Sequence, residues 1–130
     1  MKGLICDQFQ NAVEETNIRN SNILDILSKL QQTSAKSNGA VVKSLTSCGC
    51  IDLKKATNVQ PNHEDYDELK NATHTIEGEL CQACKDKVIA EMGNHMFYIA
   101  ALCSQLGLDM FDIIITEYNR LQTLGKYNLY

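Results

Sequence analysis

Apolar residues return every three or four positions over most of this chain, the period of a helix with one buried face. From about Leu4 to Glu15 that face carries Leu4, Ile5, Phe9, Ala12 and Val13. Asn17 to Asn22 is polar and rich in asparagine, a composition that breaks or bends a helix. Ser21 or Asn22 can cap the next run, because a short side-chain oxygen accepts from the first free backbone N–H groups. Ile23, Ile26, Leu27 and Leu30 form its stripe. A third run, Ser34 to about Ser47, carries Ala35, Ala40, Val41, Val42 and Leu45. Gly39 weakens it by about 1 kcal/mol relative to alanine. The run stops at Cys48-Gly49-Cys50, where glycine can leave the helical conformation.

The strongest helical pattern is Cys84 to Leu106, with Val88, Ile89, Met92, Met96, Ile99, Ala100, Cys103 and Leu106 on its stripe. Met92 and Met96 are expected in the core. Gly107 is a stop, and Asp109 can cap a last helix with Asp112 near its positive end. Ile113, Ile114, Tyr118 and Leu121 supply that helix's stripe, and Gly125 ends it. Residues 51–78 differ. They hold the only proline, Pro61, and two of the three histidines, His63 and His74, with little periodicity. The segment reads as a long polar connection, with a helical turn at Asp65 to Lys70. Such loops are uncommon in compact domains unless functional or mobile. No segment alternates as a strand does. The expectation is a single all-α domain over residues 1–130, a bundle of four to five helices.

A chain of 130 residues buries roughly two-thirds of its unfolded surface, so one modest core is available. Four or five striped helices leave apolar faces over, which points to a homo-oligomer, most simply a dimer. The net charge of -4 and scattered lysines argue against a nucleic-acid partner, which needs a basic surplus on one face. Asp7 and Gln8 interrupt the first apolar run, unlike a signal peptide. No stretch reaches the roughly 18 apolar residues of a membrane span. The expected compartment is therefore the cytoplasm, where thiols stay reduced.

Six cysteines are many for such a protein, and four fall into two close pairs. Cys81-Gln82-Ala83-Cys84 is a chelating unit, because both sulfurs can reach one ion. Cys48-Gly49-Cys50 also works, since glycine lets the backbone turn tightly. One pair ends a helix and the other begins the next, and in an antiparallel helix pair those ends are neighbours. Three readings stay open: a structural Zn²⁺ clip, free thiols or a redox disulfide, and an iron–sulfur cluster. His63 or His74 could replace a cysteine as ligand, though solvent exposure suits both. Cys6 and Cys103 lie on apolar faces and read as core. His95 reads as a surface or interface residue.

Glu91-Met92-Gly93-Asn94, the apolar run Met96 to Leu102 and the turn Leu106-Gly107-Leu108-Asp109 together resemble the MazG-like, all-α nucleoside triphosphate pyrophosphohydrolases. The resemblance covers most of the chain outside residues 51–78. It implies a helical fold shared between subunits. It also implies carboxylates on two helices that hold Mg²⁺, which binds a triphosphate and activates water. This chain departs from the family there. Lys36, Ser37 and Ala40 stand where the resemblance places three glutamates, and Asn94 where it places an aspartate. Only Glu91 remains. The expectation is a non-catalytic MazG-like binding or regulatory protein with a cysteine-clipped helix pair and a nucleotide or protein partner. Two alternatives stand beside it. One is an active pyrophosphohydrolase with a rearranged acid set, Glu91 acting with Glu14, Glu15 or Glu117. The other is a thiol-based metal or redox sensor.

Overall fold

The computed structural model describes residues 2–17, 22–54 and 75–125. Among these, four helices and one two-stranded sheet follow in order. The helices are α1 (Lys2–Thr16), α2 (Ile23–Lys43), α3 (Gln82–Leu106) and α4 (Met110–Leu124). A π-helical turn, Ser44–Cys48, extends α2 and is followed by β1 (Ile51–Leu53) and β2 (Ile76–Gly78). The protein is all-α in class. The chain forms two compact units, Met1–Ser37 with Ile89–Tyr130, and Asn38–Val88.

The first unit is helical. Its core gathers Val13, Ile26, Ala100, Ala101, Cys103 and Met110, with Phe9, Leu30, Phe97, Ile99 and Leu102 packed against them. Successive residues of a helix point about 100° apart, so buried Ala100, Ala101 and Cys103 place this part of α3 among neighbours on several sides. Their small side chains let those neighbours approach. The helix ends follow local chemistry. Asn22 Oδ1 accepts from the Leu24 N–H at 2.8 Å, and Asp109 Oδ1 from that of Phe111 at 2.9 Å. Both are N-caps that satisfy a donor the helix leaves free. Gly107, at φ 68°, makes the turn between α3 and α4.

Gln10 ties α1 to that turn. Its amide donates to the Leu108 carbonyl at 2.8 Å and to Ser104 Oγ at 3.3 Å, and accepts from the Met110 N–H at 2.8 Å. Gly3 lies beneath the ring of Phe111, where a Cβ would come within 3.3 Å. Between α2 and α3, buried Thr33 Oγ1 meets His95 Nδ1 at 2.7 Å. His95 is half-buried, with its Nδ1 engaged by the Thr33 hydroxyl.

The second unit contains the end of α2, the π turn, the sheet and the start of α3. β1 and β2 pair antiparallel with Ile51 opposite Gly78, Asp52 opposite Glu77 and Leu53 opposite Ile76. Among its described residues, Ala40, Ser44, Ile51 and Val88 are buried.

Three expectations need correction. The runs before and after Gln31 are one helix, α2, because buried Thr33 and half-buried Ser37 continue its inward face, each hydroxyl bonding to a backbone carbonyl of the preceding turn. The two ends of the 51–78 connection are strands, each too short to display alternation. The expected turn at Asp65 to Lys70, with His63 and His74, lies outside the described residues. Finally, Ile89, Met92 and Met96 are about half exposed, as are Leu4 and Ile5 of α1. They continue apolar stripes past the point where neighbouring helices cover them. Among the described residues, no single helix is long and apolar enough to cross a membrane.

Candidate metal centre

The site is built from two chain ends within the second unit. At the end of α2, Ser44 Oγ donates to the Ala40 carbonyl at 3.0 Å, and Thr46 Oγ1 to that of Val42 at 2.8 Å. Such back-bonds from serine and threonine loosen a helix. Here the backbone widens by one residue, and the Gly49 N–H bonds to the Ser44 carbonyl at 3.0 Å. Gly49 then takes φ 77°, in the left-handed region that favours glycine. Cys48 and Cys50 stand on either side of that reversal.

The other pair begins α3. Cys81 occupies the capping position, its carbonyl accepting from the Lys85 N–H at 2.8 Å. Its sulfur accepts from the Cys84 N–H at 3.5 Å, the bond a serine or aspartate oxygen makes at an ordinary N-cap. The positive end of the helix adds to that attraction for a thiolate. The short sheet joins the two ends. Gly78 sits at φ 85°, and a Cβ there would lie 2.6 Å from the Cys50 carbonyl oxygen. A glycine is therefore required where β2 passes the first cysteine pair.

The four sulfurs lie within 4.8 Å of one another, Cys48 Sγ and Cys81 Sγ at 3.7 Å. A tetrahedral Zn²⁺ with bonds of about 2.3 Å separates its sulfurs by about 3.8 Å. A disulfide would bring two of them to about 2.0 Å, and all six cysteines are free thiols. The spread of the quartet therefore suits one ion at its centre. Cys48 is exposed and the other three are half-buried.

The thiols differ in acidity. Cys81 is pulled down to about 7, chiefly by the Cys84 N–H, then by the side chains of Cys84 and Cys48. For Cys84 the strongest single influence, the Ser44 hydroxyl, favours the thiolate. The neighbouring thiols and desolvation together outweigh it and push Cys84 up to about 12. One anion forms readily in the quartet, and each further anion meets repulsion that a bound cation would remove. An all-sulfur set of four fills a tetrahedral ion and leaves no position for water, the arrangement of a structural site.

The other candidates fall elsewhere. Cys103 is buried in the core, its thiol raised by desolvation and then by Asp109, and Cys6 is half-buried. Lys36 and Asn94 are exposed. Ser37 spends its hydroxyl on the Thr33 carbonyl at 2.9 Å, and Ala40 is buried. Glu14 and Glu15 are exposed, and Glu117 pairs with Arg120 on the same helix. Among the described residues, the cysteine quartet is the group of histidine, cysteine or carboxylate side chains that converges on one point. Sequence reasoning missed Ser44 and Gly78. Gly78 carried a usable signal, a glycine three residues before a chelating pair, whereas Ser44 carried none. No family model, curated protein or solved structure matches the chain.

Gly78→Ala should strain the backbone and push β2 away from Cys50. Chemical denaturation should show a loss of about 1–3 kcal/mol, as expected for a side chain forced into a left-handed conformation. A variant as stable as wild type would mean the close approach at Cys50 is not maintained in solution.

Proposed function

We propose that this chain is a non-catalytic helical binding or regulatory protein clipped by a structural Zn²⁺ on Cys48, Cys50, Cys81 and Cys84. The observation that carries the proposal is the convergence of the four sulfurs within 4.8 Å. Thiolates select zinc, and zinc takes the tetrahedral arrangement without a redox partner. A cluster of several irons would spread its four cysteines across different metal atoms, a wider set than this one. The role of such an ion is to hold the end of α2 and the start of α3 together across the connection between them. The reduced state of all six cysteines suits the cytoplasm, the compartment we propose.

The helical part we propose to be MazG-like in descent, with its acid site lost. Supporting this, Glu91 to Leu106 lies on one helix, α3, and Gly107 to Asp109 turns into the next. Against catalysis stand the lysine, serine, alanine and asparagine at the positions the family gives to carboxylates. We also propose a homodimer. Eighteen large apolar side chains are exposed among the described residues against ten buried hydrophobic ones, more surface than a monomer of this size ordinarily leaves uncovered. One feature favours a thiol sensor as the second reading: the exposed Cys48 sulfur stands 3.7 Å from that of Cys81.

Three measurements bear on this. Protein purified under reducing conditions should carry one Zn²⁺ per chain. Cys81→Ser combined with Cys84→Ser should release it and cost about 3–4 kcal/mol, the value for opening a loop of this length. Iron with bridging sulfide in place of zinc, or a double variant that melts like wild type, would sink the clip. With Mg²⁺ or Mn²⁺, nucleoside triphosphates should not be hydrolysed. Robust turnover abolished by Glu91→Gln would instead restore the acid site. Light scattering at micromolar concentration should give twice the chain mass, and a clean monomer would remove the dimer.

A further inference from the structure

Helix α4 is covered only at its start. Met110 is buried and Phe111 and Ile115 are half-buried, whereas every side chain from residue 116 to Leu124 is exposed. So short a stretch is below the roughly 12–15 residues at which an isolated helix becomes even marginal in water. It is also apolar on one side. Ile113, Ile114, Tyr118, Leu121 and Leu124 are about half exposed. Phe111, Ile114, Tyr118 and Leu121 follow in steps of three and four, the spacing of a seam between two packed helices. The other exposed apolar line of this unit, Ile89, Met92 and Met96, differs in lying on a helix whose opposite side is already buried at Val88 and Tyr98.

We infer that this face of α4 packs against α4 of a second copy of the chain, antiparallel about a twofold axis that passes between Glu117 and Tyr118. This rests on reading the chain as a homodimer. Three features choose a second copy as the occupant. First, the apolar spacing is close to the same in both directions. About that axis Ile114 faces the partner's Leu121, Phe111 faces the partner's Leu124, and the two copies of Tyr118 lie beside the centre. A twofold interface needs a patch that complements itself in this way. Second, the charges permit it. Arg120 already binds Glu117 of its own helix, and Asp112 faces the partner's Thr123, so no like charges meet. Third, the area suffices. The five half-exposed side chains offer on the order of 500 Å² per copy. Two facing copies bury about 1,000 Å², where specific interfaces begin.

The experiment reads the monomer–dimer equilibrium of the full chain by analytical ultracentrifugation. Leu121→Glu and Ile114→Lys should each weaken dimerisation about 30-fold or more, as at the centre of an interface. Each should also lower the far-UV helix signal where it is monomeric, because the end of α4 loses its cover. The combined variant sets opposite charges face to face across the axis and should dimerise more tightly than either single variant. The two positions are two helical turns apart, too far to pair within one chain. Such a rescue also separates loss of the interface from misfolding. Met92→Glu, on the exposed line of α3, should dimerise as wild type does. The inference is overturned if wild type is a dimer and Leu121→Glu dimerises equally well, and the homodimer then stands on another face. It is equally overturned if the combined variant is no tighter than the single ones, or if Met92→Glu is as weak as Leu121→Glu. A wild-type chain that stays a monomer would remove the homodimer reading itself and leave a different protein as the occupant of this face.

Discussion

Four sulfur atoms within 4.8 Å of one another can carry at most a fraction of their possible charge unless something positive lies among them. The surrounding unit is arranged around that constraint. The N–H of Cys84 and the start of α3 favour an anion at Cys81. The Ser44 hydroxyl favours one at Cys84. Gly49 and Gly78 take left-handed conformations so that the backbones carrying the cysteines can come close. The strands between them are three residues long, with Ile51 as the one buried side chain among them. So small an apolar area contributes little stability by itself. Strands this short are of the kind that depend on a staple.

The helical unit is held differently. Its core rests on small residues in the second half of α3 and on Ile26, which is wholly buried. Polar side chains then lock the elements in register. Gln10 uses both ends of its amide at the α3–α4 turn, and Thr33 meets His95 between α2 and α3. These bonds are specific where apolar stripes are not, because a slipped helix would separate part-buried donors from their acceptors. The two units thus combine a core fixed by packing and hydrogen bonds with a site fixed by sulfur geometry.

The helices were legible in the sequence because their signals are local. Asn22 and Asp109 mark starts, and Gly107 and Gly125 mark stops. The chelating spacing of Cys81 and Cys84 is local too, and its pairing with Cys48 and Cys50 followed from helix ends being neighbours. What the sequence hid is what depends on distance. Periodicity identifies the apolar face of α3 but not how far along it other helices reach, so Met92 and Met96 read as core and are half exposed. The middle of α2 looked like a break because its inward positions there, Thr33 and Ser37, are polar residues whose hydroxyls bond to backbone carbonyls. Three-residue strands are too short for a period of two. Ser44 looks like any serine near a helix end, and nothing in the sequence marks that the π turn buries it wholly.

The hydrogen bonds of Gln10 carry a consequence for how the molecule is made. They join residues 98 and 100 positions apart, whereas Cys48 and Cys81 are separated by 33. The cysteine unit is nested inside the stretch of chain that the helical unit must bridge. As the polypeptide leaves the ribosome, every cysteine of the quartet emerges before Leu108 and Met110 do. The nested unit can therefore close first. The partners of Gln10 arrive later, so the helical unit can finish only after Met110 has been synthesised.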